Sequence, residues 1–175
     1  MPAAMVPGPE EQKVLDVLQS LGIAWERHEH PPVFTVEQAE VHWRAISGLH
    51  IKNLFLRNDR GNRHYLVVLA ASKKVDLKVL AKLLSEDRFS FASAERLRRW
   101  LGVDPGSVSV FGLINDEAKE VEVVLDEDLK TADRAAFHPN DNRVTLVVNS
   151  ADLAKFLAWT GHRVRYLRFE ACPSG

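Results

Sequence analysis

The chain has 175 residues, of which 46% are apolar and 27% charged, with a formal net charge of −1 at pH 7. This suits one ordinary globular domain with a substantial core and excludes a disordered or strongly basic chain. Charge is nonetheless segregated: residues 72–99 carry eight Lys or Arg against four Asp or Glu, whereas residues 115–133 carry two against eight. A basic sector of this kind suits phosphates, and the acidic one would be kept away from them. The single cysteine, Cys172, excludes an intramolecular disulfide. No run approaches the ~18 apolar residues of a membrane span, and no basic-then-apolar leader opens the chain. The expectation is a cytoplasmic protein with no membrane contact, one domain over 1–175, and flexible ends at 1–8 and 171–175.

Pro9-Glu10-Glu11 opens a predicted helix, with Val14, Leu15, Leu18 and Leu21 at helical spacing and Gly22 as its stop. Residues 23–30 predict a short strand ended by Pro31-Pro32. Thr35 and Gln38 predict a capping box for a helix to about Trp43. Residues 50–57 and 64–71 predict two strands joined through Asn58-Asp59-Arg60-Gly61-Asn62 as an antiparallel hairpin. Asp76 caps a predicted helix carrying Leu77, Leu80, Leu83 and Leu84. Ser93 caps another, with Leu97 and Leu101 inward and Gly102 closing it. Residues 107–113 and 121–125 predict a second strand pair around an Asn115-Asp116 turn, and 143–149 a further strand. Ser150 caps a last helix through Trp159 with Gly161 after it, and 164–169 predict a final strand. Helices interspersed with hairpin-joined strands, without regular βαβ repetition, predict an α+β fold with a mixed, mostly antiparallel sheet flanked by helices.

Several catalytic arrangements are missing from the sequence: no Gly-x-Ser-x-Gly elbow, no phosphate loop ending in Lys-Ser or Lys-Thr, no Gly-x-Gly-x-x-Gly. His28 and His30 share a predicted strand face, but spacing assigns no third ligand, so no metal site is expected. Cys172 is terminal and lacks a basic neighbour, which argues against a thiol nucleophile. A more informative feature is Ile51-Lys52-Asn53-Leu54-Phe55-Leu56. A lysine in such an apolar run either reaches water or is held in a cleft, where its three donors suit a carbonyl or phosphate oxygen. Asn53 offers both a donor and an acceptor. In a regular strand Lys52 and Asn53 point to opposite faces, unless a bulge turns both inward. Gly112, in Phe111-Gly112-Leu113-Ile114, permits close backbone approach to a ligand or to another segment. In Phe137-His138-Pro139-Asn140 the proline stiffens a loop, and His138 either hydrogen-bonds a substrate or stabilises the turn.

Taken in order, Lys52-Asn53-Leu54-Phe55-Leu56, the 106–116 stretch GSVSVFGLIND, the 121–126 stretch VEVVLD and Phe137-His138-Pro139-Asn140 resemble the YbaK-like aminoacyl-tRNA editing domain family. They resemble in particular the free-standing PrdX or ProXp-ala type, over roughly residues 35–157. Two departures stand out: Val110 where relatives commonly carry proline, and Arg143-Val144 in place of a small Thr-Ala pair. The resemblance implies a trans-editing hydrolase that deacylates Ala-tRNA(Pro) without a cofactor, with Lys52, Asn53 and His138 as the catalytic set. It implies substrate contacts from Val33, Phe34, Thr35, Ser109, Gly112, Leu113, Ile114 and Asn140, with apolar members walling a small cavity. The basic sector supplies RNA-binding candidates: Lys73, Lys74, Lys78, Arg96, Arg98 and Arg99. The implied partners are aminoacyl-tRNA, tRNA(Pro) in particular, and prolyl-tRNA synthetase. The alternatives are a deacylase for Cys-tRNA(Pro) or Ser-tRNA, and a non-catalytic tRNA- or DNA-binding module.

Overall fold

The computed structural model describes residues 3–171. Cys172 and the remainder of the expected flexible end, 172–175, lie outside the described residues, as do residues 1 and 2. Helix α1, Pro9–Ser20, starts on proline with Glu10 and Glu11 in its first turn and buries Val14, Leu15 and Leu18. Its Glu11 is fully buried but pairs with Arg27 at 2.6 Å, which fastens α1 to strand β1, Glu26–Glu29. Helix α2, Val36–Trp43, begins where Thr35 Oγ1 accepts from the Gln38 amide. Gln38 Oε1 in turn accepts from the Phe34 amide, so the expected cap is reciprocal, one residue further back than in the standard box.

The hairpin forms as expected from β2, Leu49–Asn58, and β3, His64–Ala70. Asn58 Oδ1 holds its turn by accepting from the Asn62 and Arg63 amides. After the two-residue strand β4, Lys73–Lys74, come α3, Leu77–Leu83, β5, Phe89–Phe91, and α4, Ala94–Leu101. Asp76 and Ser93 cap the two helices, and Gly102 ends α4 in the left-handed conformation, φ 65°. The rest of the chain runs β6, Glu122–Asp126, α5, Asp128–Thr131, β7, Arg134–Phe137, β8, Val144–Asn149, α6, Ser150–Thr160, β9, Val164–Leu167, and β10, Glu170–Ala171. Asn149, not Ser150, is the N-cap of α6, and it makes no side-chain cap bond.

One mixed sheet has the order β1-β8-β7-β2-β3-β6-β9, with β5 also paired to β2, and β4 and β10 form a separate ribbon. The β2–β7, β3–β6 and β6–β9 pairs are parallel and the rest antiparallel. The larger core packs α1, α4 and α6 on one sheet face; a second lies under α3 on the other.

The expected second hairpin does not form. Residues 107–113 are not a strand: Val110–Asn115 is a 3-10 helix, begun where Ser109 Oγ accepts from the Phe111 amide. Strand β6 pairs instead with β3 and β9, both in parallel. The reason is burial on all sides, since Val110, Phe111, Gly112 and Leu113 are consecutively buried. A short all-apolar run has no periodicity that separates strand from buried helix.

Candidate active site

Strands β2 and β7 pair only through Leu49 with Ala135 and His50 with Ala136. Beyond that point they separate, and a cleft of about 220 Å³ opens between them. Its wall includes Ile51, Lys52 and Asn53 from β2, Ala136, Phe137 and His138 from the β7 end, and Thr145 from β8. Val33, Phe34, Thr35 and the α2 residues Ala39 and Trp43 cover one side, and Gly106 and Val108 close another. Gly106 has φ +93°, and a Cβ there would lie 2.8 Å from the Phe34 ring, so a side chain would push Phe34 out of place.

The β2–β3 register is regular through Lys52–Leu69 and Asn53–Val68, so no bulge turns the pair inward. Lys52 shares the α2-covered face with His50, Ala136 and Thr145; Asn53 lies on the other face with Ile51. Both still line the cleft, because the sheet is split beside them. The Lys52 ammonium donates to the Lys73 carbonyl oxygen, which leaves two of its three donors for the cleft. Lys73 is itself held by Asp126 and Asp128, each at 2.9 Å, and fully buried Asp126 also accepts from the Ala70 amide at 3.0 Å. The Asn53 Oδ1 atom is buried without a protein partner among the described residues.

His138 Nδ1 is 2.8 Å from the Val144 carbonyl oxygen. A carbonyl only accepts, so Nδ1 carries the proton and Nε2 is the lone-pair nitrogen of the neutral ring. Burial foremost lowers the His138 pKa, with nearby His30 acting in the same direction. The anchor is a backbone atom, so the valine at 144 leaves it intact. Among the described residues no carboxylate lines the cleft.

Of the remaining sequence candidates, Val33, Phe34 and Thr35 line the cleft, while Ser109, Gly112, Leu113, Ile114 and Asn140 do not. Ser109 is fully buried and donates to the His138 carbonyl oxygen, so it fixes the loop behind the histidine. Gly112 packs on α4: an added Cβ would meet Leu101 Cβ at 2.9 Å and its carbonyl oxygen at 3.2 Å. The close approach made there is to another segment. Asn140 is buried in the left-handed region, φ 60°. Thr145 was missed, although a lone polar residue inside the apolar run Val144-Thr145-Leu146-Val147-Val148 was a readable signal. The basic sector divides. Lys73 is neutralised as above, Arg98 pairs with Asp104 at 2.7 Å, and Arg96 donates to the Gly61 carbonyl oxygen and to His64. Lys74, Lys78 and Arg99 are exposed, with Arg99 over the Trp100 ring at 5.1 Å.

The fold is thus an α+β domain whose mixed sheet is split by a small cleft that holds a lysine, an asparagine and a neutral histidine. The sequence profile of the aminoacyl-tRNA editing domain matches residues 30–156. The prolyl-tRNA editing protein ProX of Acetoanaerobium sticklandii is 41% identical over 152 residues, 87% of this chain and 93% of its own length. The prolyl-tRNA synthetase associated domain-containing protein 1 of Danio rerio is 32% identical over 170 residues, 96% of this chain and 92% of that protein. A crystal structure proposed to be a trans-editing enzyme for prolyl tRNA synthetase superposes with a TM-score of 0.70 at 20% identity, covering 95% of this chain and 100% of that one. The chain belongs to the aminoacyl-tRNA editing domain family and is an aminoacyl-tRNA deacylase. No helix among the described residues is long and apolar enough to cross a membrane.

Proposed function

We propose that this deacylase removes alanine from mischarged tRNA(Pro). The observation that carries the reading is the placement of Lys52, Asn53 and His138 beside the buried apolar wall residues Val33, Ile51 and Ala136 in one small cleft, in a chain 41% identical to a prolyl-tRNA editing protein. A synthetase pocket shaped for proline discriminates poorly against a smaller apolar amino acid, each missing methylene changing binding by only ~1–3 kcal/mol. A second pocket that admits alanine and excludes proline supplies the missing discrimination. In the reaction, water forms a bond to the ester carbonyl carbon, and the bond from that carbon to the ribose oxygen breaks. The water proton passes to the departing ribose oxygen. Lys52 holds the negative charge that develops on the carbonyl oxygen, with two ammonium donors still available. His138 Nε2 orients the attacking water or the neighbouring ribose hydroxyl.

The same cleft volume also accommodates seryl and cysteinyl esters, and a binding-only role would leave every ester intact. Incubation with a panel of aminoacyl-tRNAs, following loss of the ester, separates these outcomes. Hydrolysis of alanyl-tRNA(Pro) is expected, and its persistence beside cleavage of another ester would overturn the substrate assignment. Cytoplasmic residence belongs to the same reading, as do tRNA(Pro) and prolyl-tRNA synthetase as partners, which the names of the ProX and synthetase-associated relatives support.

His138→Ala is expected to slow single-turnover hydrolysis by about threefold to tenfold, the size of one net hydrogen bond. Because its pKa is lowered, His138 stays neutral at pH 7, and its contribution is lost only as pH falls through that lowered value, below 6.5. A rate unchanged at limiting and saturating substrate would return the residue to a purely structural role.

For the RNA body, Lys74, Lys78 and Arg99 are the exposed basic-sector candidates with no ion pair among the described residues, with Lys78 of α3 and Arg99 of α4 on opposite sides of the sheet. Arg99→Glu is expected to weaken tRNA binding and to flatten its salt dependence by about one counterion. Equal affinity and slope in the variant would remove Arg99 from the interface.

A further inference from the structure

Arg57 lies five positions beyond Lys52 on β2, roughly 16 Å along the strand. It pairs directly with His64 of β3, whose ring stacks on Phe55 at 5.6 Å on the face that α4 covers. From α4, Arg96, Arg99 and Trp100 stand at i, i+3 and i+4 and so share one side of the helix. Together with Gly61, His64 and Glu95 they line a pocket of about 360 Å³. None of these residues belongs to the editing cleft.

Two guanidiniums converge on Gly61. A Cβ there would lie 2.9 Å from Arg96 Nη2 and 3.4 Å from Arg57 Nη1, and φ is +68°, so glycine lets both approach the turn. Arg96 Nη1 donates to the Gly61 carbonyl oxygen at 2.9 Å and to His64 Nε2 at 2.8 Å. Arg57 Nη1 donates to the Asn58 and Asp59 carbonyl oxygens, each at 3.2 Å. Neutral acceptors thus aim both head groups and leave their charge uncompensated. Their Nε and Nη2 donors have no partner among the described residues. Arg99 lies over the Trp100 ring at 5.1 Å.

Neighbouring arginines are neutralised: Arg98 pairs with Asp104 at 2.7 Å and Arg88 with Asp59 at 3.0 Å. Among the described residues, Arg57, Arg96 and Arg99 have no carboxylate partner, and Glu95 on the pocket wall is exposed and pairs with none of them. Asp116, buried nearby, is taken by the Val121 amide at 2.8 Å and by His162 at 2.9 Å. His64 registers the resulting field. Its pKa is pushed down to about 4, by burial first and then by Arg96, Arg99 and Arg57. The ring is therefore neutral at pH 7 and adds no charge to the cluster.

We infer that Arg57, Arg96 and Arg99 form a second binding site, apart from the editing cleft, whose ligand is a phosphate group. Three like charges held together repel, and an anion among them relieves that repulsion. A carboxylate has two coplanar oxygens, which one guanidinium fork satisfies. A phosphate presents its oxygens tetrahedrally and takes several forks at once. Free phosphate and a phosphate of an RNA backbone offer the same chemistry here. The site takes no part in ester hydrolysis, and its failure would leave the deacylase assignment standing.

Two measurements on the full chain test the site. His64 ring signals are followed by NMR at pH 7 as inorganic phosphate is added, against chloride at equal ionic strength. The affinity of deacylated tRNA is measured in parallel. Phosphate is expected to shift His64 saturably, and Arg57→Gln and Arg99→Gln each to weaken that response about tenfold or more, the loss of a charge-assisted hydrogen bond. Arg98→Gln removes the same charge from an arginine already paired and is expected to leave the response unchanged. Unfolding midpoints establish that each variant is folded. A loss of tRNA affinity larger in Arg57→Gln than in Arg98→Gln supports the site with a backbone phosphate as its ligand. A saturable phosphate shift without that difference supports it with free phosphate. His64 signals that follow ionic strength alone, with equal tRNA affinity in Arg57→Gln and Arg98→Gln, would overturn the inference. An equal loss of phosphate response in all three variants would also overturn it, leaving only a diffuse positive field.

Discussion

Lys52→Ala is expected to lower ester hydrolysis by about 10²–10³-fold, the effect of deleting one preorganised donor to a developing oxyanion. The argument is geometric. Lys52 lies on a strand whose parallel neighbour leaves it after His50, so its ammonium borders the cleft instead of a paired strand. One donor is spent on the Lys73 carbonyl, and Lys73 is fixed by Asp126 and Asp128. The ammonium is thus tethered by a single bond to a segment that is itself immobilised, which is how a charge is preorganised without being consumed. Lys52 is only half-buried, so its removal should change stability by about 1 kcal/mol or less. Hydrolysis and the thermal unfolding midpoint are measured together. Near-normal turnover in a folded variant would remove Lys52 from the centre of the site. Lys52→Arg should rescue poorly, because a planar guanidinium does not reproduce a compact ammonium at the same reach.

The second large effect concerns selectivity: on one tRNA body, the alanyl ester should be hydrolysed about 10- to 100-fold faster than the prolyl ester. Forcing extra methylenes against a packed wall costs roughly 1–3 kcal/mol, whereas an underfilled wall loses only weak dispersion contacts. The wall residues Val33, Ile51 and Ala136 are all buried and have little room to yield. Phe34, by contrast, is 67% exposed, so it forms the more yielding edge. The same mechanism rejects glycyl and seryl esters poorly, leaving part of that discrimination to the tRNA. Hydrolysis rates for alanyl, seryl, cysteinyl and prolyl esters on one tRNA check this directly. A preference for the prolyl ester would end the size-exclusion account even if deacylation held.

Local chemistry was legible wherever a residue acts on its own neighbours in sequence. Thr35 with Gln38, Asp76 and Ser93 cap their helices because capping is a contact across two or three residues. Asn58 closes the hairpin turn for the same reason. The ordered motifs also identified the editing family, and the three residues singled out with it, Lys52, Asn53 and His138, all reach one cleft.

What the sequence could not decide was every pairing between distant segments. The 3-10 helix at Val110–Asn115 exists because α4 packs against it, with Leu101 filling the space a side chain at Gly112 would need. That contact was written in two places and visible in neither. Asn53 enters the cleft from the face opposite Lys52 only because β7 leaves β2 after His50, and a break in a parallel pair leaves no local mark. Thr145 of the cleft wall hydrogen-bonds His30, 115 residues away in sequence. Lys73 reads as a free cation until folding places Asp126 beside it. Caps and motifs are short-range and survive in one dimension. The cleft is a gap between strands, and its existence depends on which strands pair and where they stop, which tertiary packing alone sets.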